Sequence, residues 1–265
     1  MSSNNGLTKC IIPSFRQRIY SIWFRHIRVY SQHIVSNAFP PIMETLLFLA
    51  AIGLGLSGVM KPVEGTPYLV YVATGIMAIP PMFTSAFECT ISTFIRLEFD
   101  KVYDGMLSAP HRVSDLFIAE MLFSATKSAF YAALILLVLV LFGLIQSTMS
   151  LLVPIAGFLT GLLFAAISLL VTSFVKTINH FNFYFSGFIS ILFWFSETMF
   201  PASHLSPNLR WIVEALPLTH AVRLIRASCL NQFHSGHIID LLYILGITLI
   251  CGFFAIYRLK KRLIE

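Results

Sequence analysis

Residues 128–175 read SAFYAALILLVLVLFGLIQSTMSLLVPIAGFLTGLLFAAISLLVTSFV. These 48 residues include no Asp, Glu, Lys or Arg. A helix that crosses a bilayer needs about 20 mainly apolar residues, so the run is long enough for two. Gly143 to Ser150 supplies a turn in the middle. We place spans at about 116–143 and 151–175.

The pattern extends both ways. Over all 265 residues the hydrophobic fraction is 57% and the charged fraction 11%, against roughly 25% charged in an average soluble domain. A water-soluble globule is excluded, and so is a disordered chain, which needs the opposite balance. An outer-membrane barrel would show alternating segments of about ten residues; the apolar runs here are helix-length instead. Upstream we expect spans at about 38–60, opening on Pro40-Pro41, and about 67–92. Pro80-Pro81 lies inside the second and should kink that helix or split it in two. Downstream we expect spans at about 178–199 and 238–257, the last stopped by the basic run Arg258 to Arg262. The expected fold is all-α and integral to the membrane, with six transmembrane helices in one domain, 37–257. A flank, 1–36, precedes it and a basic tail, 258–265, follows.

In the flank, Pro13-Ser14 reads as a helix start. Phe15, Ile19, Ile22, Trp23, Ile27, Tyr30 and Ile34 then recur at helical spacing, and Arg16, Arg18, Arg25 and Arg28 take the other face. This is an amphipathic helix lying in the membrane interface; the plainer reading is a packed helix of a soluble cap. Six spans put both ends on one side. With the termini inside, 14 Lys and Arg lie inside and four outside, which favours both termini in the cytoplasm. The net charge of +6 comes mainly from the two ends, beside apolar segments. Anionic lipid headgroups therefore suit it better than nucleic acid.

Glu44, Glu88 and Glu197 lie within or at the ends of spans. A charge at mid-span costs about 2.5–3.5 kcal/mol, so each is a candidate for lining a pathway or for pairing. Glu88 has Lys127, on the next span, as a partner. Phe181, Phe183, Tyr184, Phe185, Phe188, Phe193, Trp194 and Phe195 crowd the fifth span. They pack and form interface belts, or one face stacks on sugar rings.

No lysine follows a glycine, so a phosphate-binding G-K-[ST] loop is missing. No histidine is followed by glutamate, so the zinc-protease pattern is missing too. His234 and His237 have no third ligand close in sequence, and Cys10, Cys89, Cys229 and Cys251 show neither metal nor paired spacing. We expect no catalytic residue and no metal site. Asp100 and Asp104 make one half of the Asp-rich magnesium motif of membrane transferases, which need two such clusters. A membrane transferase is the rival from another class.

Residues 94–110 read FIRLEFDKVYDGMLSAP, followed much later by MFP at 199–201, LPLTH at 216–220 and LIR at 224–226. In order and spacing these resemble the permease subunits of type-2 ABC exporters, over about 15–260. Within them the chain looks most like permeases that export nodulation-type lipo-oligosaccharides; capsule and O-antigen export permeases are more distant. The resemblance implies a bacterial inner-membrane homodimer whose pore lies between two copies. Beneath it sit two ABC subunits that hold the ATP and magnesium, none of which this chain binds. The cargo would be an amphiphile such as a lipo-oligosaccharide or polysaccharide. Efflux of drugs or small lipids by the same architecture is the alternative.

The resemblance also assigns parts. Arg96, Glu98, Asp100, Lys101, Tyr103 and Asp104 would form the cytoplasmic coupling helix that docks on the ATPase. Arg96 and Asp100, like Asp100 and Asp104, are four apart, so one continuous helix would gather them on one mixed-charge face. The outer segment 201–237 carries too many charges for a seventh span. It suits two short re-entrant helices broken near Pro217. Pro201, Pro217, His220, Arg223 and Arg226 would form an outer gate there. Arg223 and Arg226 pair with Glu214 or meet an anionic headgroup.

Overall fold

A computed structural model describes residues 13–55 and 59–264. The first twelve residues of the flank, part of the expected 38–60 span and the last residue of the tail lie outside these.

Helix α1 (Phe15–Ser31) begins where the sequence places it. The Ser14 hydroxyl accepts from the Gln17 backbone N–H, and the Gln17 side chain accepts from the Ser14 N–H. This capping box satisfies two donors that the first turn would leave open. Arg18, Ile22 and His26 form the buried stripe of α1. The expectation that Arg18 lies on an outward arginine face is therefore corrected. Its charge is turned inward because an acid waits there, as shown below. Phe15, Tyr20, Phe24 and Val29 are exposed.

Next come α2 (Ile34–Gly55), α3 (Tyr68–Ile76) and α4 (Ile79–Phe87). Pro80 and Pro81 occupy the first turn of α4, where missing N–H groups cost least. The pair thus splits its span in two. The helix continues past Phe87 through two π-helical turns, Glu88–Ser92 and Ile95–Phe99, so the whole span runs Tyr68–Phe99. A short α5 (Val102–Leu107) leads to the long α6 (Val113–Leu141) and α7 (Val153–Phe174).

Among the described residues, five helical stretches are long and apolar enough to cross a membrane: Ile34–Gly55, Tyr68–Phe99, Val113–Leu141, Thr148–Phe174 and Gly236–Leu263. The expected fifth span, 178–199, is a composite and not one continuous α-helix. It joins a 3-10 turn (Ile178–His180), α8 (Phe181–Phe183), a π-helical turn (Tyr184–Ile189) and α9 (Ser190–Phe195). Aromatic side chains lose rotamer freedom in a helix and glycine exposes its backbone, so this run is a poor α-former. The Ser190 hydroxyl donates to the Phe185 carbonyl at 3.0 Å and holds the wider turn.

Two short helices follow, α10 (Pro207–Ala215) and α11 (Pro217–Leu230), broken at Leu216-Pro217 as expected. The final helix, α12 (Gly236–Ile264), does not stop at the basic run. Arg, Lys and Leu are good helix formers, and Arg262 has a reason to stay in line. Its Nη1 donates to the Thr172 and Val175 carbonyls at 2.9 and 2.8 Å. It thereby caps the negative end of α7.

The core is a sandwich of α6, α7 and α12, with α4 against α6. Gly157 and Gly161 of α7 face Ala132 and Ser128 of α6, and a Cβ at either glycine would collide with those side chains. Small residues let two membrane helices approach closely where no hydrophobic force drives them together. The Ser128 hydroxyl also meets Ser85 at 2.7 Å and donates to the Pro81 carbonyl at 3.0 Å, which ties in α4. Gly161→Val is expected to destabilise the fold by about 3 kcal/mol, read as a lower melting temperature in detergent. Gly246→Val, at a position open to the surroundings, should leave that temperature unchanged.

Charged groups gather at the two ends of the bundle. Asp240 and Arg262 lie 22 residues apart on α12, about 33 Å along the axis at about 1.5 Å per residue. Leu241 to Tyr257 between them carries no charge.

Candidate functional site

The basic end contains a buried relay of hydrogen bonds. Tyr103, 1% exposed, reaches in from α5 and donates to the Glu120 carboxylate of α6 at 2.6 and 2.7 Å. Burial pushes the Tyr103 phenol well up from its ordinary pKa, and Glu120 adds to the effect, so it stays a donor. Arg96 Nη2 donates to Glu120 at 2.5 Å and to Glu88 at 2.9 Å. Lys127 Nζ, on α6, donates to the other Glu88 oxygen at 2.8 Å and lies over the Tyr30 ring. The two acids are thus compensated by two bases, as burial requires. The Glu88–Lys127 pairing read from the sequence is present.

The six residues assigned to coupling divide three ways. Lys101 sits in the left-handed region, φ 47°, between the long span and α5. That break ends the helix just after Asp100, so Asp104 does not share a continuous helical face with Arg96 and Asp100. Asp100, Lys101 and Asp104 point outward. Glu98 is held by Arg262 Nη2 at 2.7 Å. Arg96 and Tyr103 are turned inward into the relay.

Sequence reasoning missed Arg18, Asp115 and Glu120 here. Arg18 Nε donates to Asp115 at 2.7 Å, and Asp115 also accepts the Arg112 N–H at 3.0 Å, at the start of α6. The first pair spans 97 positions in sequence, beyond any local pattern. His26 stacks on Phe123 at 5.2 Å and is 4% exposed. Burial lowers its pKa from 6.5 to about 4; Glu120 opposes this and Arg96 assists. A neutral buried histidine means full stability above the ordinary pKa and loss as pH falls through the lowered one. Between about pH 6.5 and 5 the packing of α1 should weaken by about 2 kcal/mol. His26→Phe is expected to flatten that dependence, checked by melting temperature against pH.

The relay ends at a cleft of about 690 Å³. Lys127 and Tyr131 of α6 form part of its wall, and α2 faces them with Pro40, Pro41 and Glu44. Pro41 cannot donate to the Asn37 carbonyl, and the Tyr131 hydroxyl does so instead at 2.8 Å. Phe48, Phe83, Phe87 and Phe193 supply aromatic walls. Glu44 is exposed to this space.

At the far end Glu197 is the hub. Its backbone is left-handed, φ 56°, a conformation that costs a non-glycine residue energy unless its surroundings enforce it. They do. The carboxylate accepts from Arg223 at 2.8 and 3.1 Å and from the Ala202 N–H at 3.0 Å. Its carbonyl accepts from Arg226 Nη2 at 2.7 Å, and Arg226 lies over the Tyr71 ring. Arg223 also donates two bonds of 2.6 Å to Glu214. Those bonds hold the Glu214 carboxyl below its ordinary pKa, against a smaller opposing effect of burial. Of the two partners considered for Arg223, the structure gives it Glu214.

His220 bridges Asp240 at 2.6 Å and the Glu214 carbonyl at 2.9 Å, and it stacks on Tyr243. His237 meets the other Asp240 oxygen at 3.1 Å. Pro201 and the Arg223 cluster line a pocket of about 540 Å³, and Pro217 opens α11 behind it. Asp240 was missed, although an acid just inside an apolar span is the signal that picked out Glu88. No group of three metal-ligating side chains comes together among the described residues.

A family model described as ABC-2 type transporter matches residues 17–230. The chain is 24% identical to Nodulation protein J of Sinorhizobium fredii over 256 residues, 96% of this chain and 97% of that protein. It is 29% identical to Nodulation protein J of Rhizobium leguminosarum bv. trifolii over 230 residues, covering 86% and 87%. It is 26% identical to Nodulation protein J of Bradyrhizobium diazoefficiens over 222 residues, covering 84% and 85%.

Proposed function

We infer function from membership: the chain belongs to the ABC-2 type transporter family, and is the multi-pass membrane permease of an ABC exporter. Beyond that, we propose a homodimer in the bacterial inner membrane that works with two separate ATPase subunits. The composite 178–195 would make the sixth crossing and bring both termini to the cytoplasmic side, in keeping with the bias of basic residues. The basic end is then cytoplasmic, and the Glu197–Arg223 end is the outer gate.

One observation carries the mechanism. Exposed Asp100, Lys101 and Asp104 surround a short helix whose inward residue, Tyr103, is bonded to Glu120. Glu120, Arg96, Glu88 and Lys127 continue that contact to the wall of the intramembrane cleft. An ATPase that closed on ATP and pushed α5 would move Tyr103. Packed, fully bonded groups have discrete arrangements, so the push would reach Lys127 and the cleft rather than dissipate. The cargo we propose is an amphiphile of the lipo-oligosaccharide class, its apolar chain in the cleft. The relatives named for nodulation support this class through their overall similarity.

The test is co-purification. Tagged chain extracted in mild detergent should bring down a stoichiometric ABC ATPase, and Asp100→Lys with Asp104→Lys should release it without lowering the melting temperature. Reproducible absence of an ATPase would overturn the proposal. Turnover of a substrate by the isolated chain with magnesium would replace it with the transferase.

A further inference from the structure

Glu44 lies at the eleventh of the 22 positions of α2, near the middle of a membrane-crossing helix. Its carboxylate is exposed to the cleft. Among the described residues no cation and no hydrogen-bond donor meets it. The contrast with Glu88, Glu120, Glu197 and Asp240 is plain, because each of those has a base within 3.1 Å. Lys127 shares the cleft, but its charge is taken by Glu88 at 2.8 Å. Among the described residues, Glu44 is therefore the one carboxyl group lining the cleft, and it has no protein partner.

The surroundings of that carboxyl group are aromatic. Phe48 meets Phe193 edge to face at 6.4 Å, and Phe83 lies stacked with Phe87 at 6.5 Å. Ring faces attract cations, most strongly where water is excluded. The volume of about 690 Å³ falls in the range of small-ligand sites, roughly 300–1,000 Å³. A lone carboxylate at bilayer depth is costly and marks a functional position by default. Pairing with a ligand that brings its own apolar surface and a positive charge would remove that cost.

We propose that this cleft binds lipophilic monocations of the quaternary ammonium or phosphonium type, with Glu44 as counter-ion and the phenylalanines as the cage. This goes beyond the export of a lipo-oligosaccharide and needs neither an ATPase nor a second copy. The two proposals can therefore fail separately.

The test uses the full-length chain in nanodiscs of zwitterionic lipid, with tritiated tetraphenylphosphonium as probe. Saturable binding of about one per chain is expected. Glu44→Gln should weaken it at least tenfold, Glu44→Asp should keep it within a few-fold, and an alkyl sulfonate should not compete. Carbodiimide labelling of Glu44 in the unsubstituted protein, read by mass spectrometry, gives an answer without any variant. Saturating tetraphenylphosphonium should block it. Uptake no greater than in empty nanodiscs, equal affinity in the glutamine variant, or labelling untouched by the cation would each overturn the proposal.

Discussion

Arg96→Met is expected to unfold the basic end of the bundle. The guanidinium compensates Glu120, wholly buried, and shares Glu88 with Lys127. Methionine fills a similar volume but leaves Glu120 charged in an apolar site without its cation. Removing one partner of a buried ion pair costs about 3–5 kcal/mol, against a total stability of about 5–15 kcal/mol. The melting temperature and the monodisperse yield in detergent should both fall sharply. The double variant Arg96→Met/Glu120→Leu removes both charges and keeps Glu88 paired with Lys127. Replacing a buried pair by apolar residues is often neutral or stabilising, so the melting temperature should return close to its starting value. Export should not return, because Tyr103 has lost its acceptor. A double variant as unstable as the single one would show that charge compensation is not what Arg96 provides. A double variant that exports normally would show that the relay carries no coupling.

The second large effect is expected at the other end, from a substitution that preserves charge. Arg223 makes two bonds to Glu197 and two to Glu214, all from one planar fork. An ammonium is a single point with a different geometry, so Arg223→Lys can satisfy one acid but not both. We expect it to lose about 2–3 kcal/mol, below the cost at a deeper pair because Glu214 stays partly in water. Arg223→Gln should lose somewhat more. Glu197 would then keep the Ala202 and Arg226 contacts but lose both bonds from Arg223, and the link from α9 to α11 would loosen. Protection of the α10 and α11 amides from hydrogen exchange is the measurement, and full protection in the lysine variant would refute the account. Acid should act in the same direction. The Glu214 carboxyl is held below its ordinary pKa, so its contribution is complete above that value and disappears as pH falls through the lowered one.

Much of this architecture could be read in the sequence. Apolar runs gave the spans, because in lipid the backbone can satisfy itself only as a helix. Pro80-Pro81 marked the split between α3 and α4, and Ser14 marked the start of α1. Lys127 followed Glu88 into the next span and proved to be its partner. What failed was long-range or conformational. Arg18 looked like part of an arginine face because periodicity cannot see Asp115, 97 positions away. The break at Lys101 was invisible because lysine is a good helix former and only its φ betrays it. The fifth apolar run was read by hydropathy alone, which is blind to whether aromatic residues and glycine wind as α- or π-turns. Roles for Pro201, Pro217, His220 and Arg226 could be placed at one end of the bundle but rest on the resemblance.

The separation between Asp240 and Arg262 makes the protein a gauge of its host bilayer. The hydrocarbon layer of a typical membrane is about 30 Å thick, close to the reach of α12 between those two anchors. Lipids with longer acyl tails would engulf one anchor or force the helices upright, and shorter ones would tilt them. Either response strains the Arg262 contacts to α7 or the Asp240 contacts to His220. Export measured in vesicles of single, graded tail lengths should therefore rise to a maximum at matched thickness and fall on both sides.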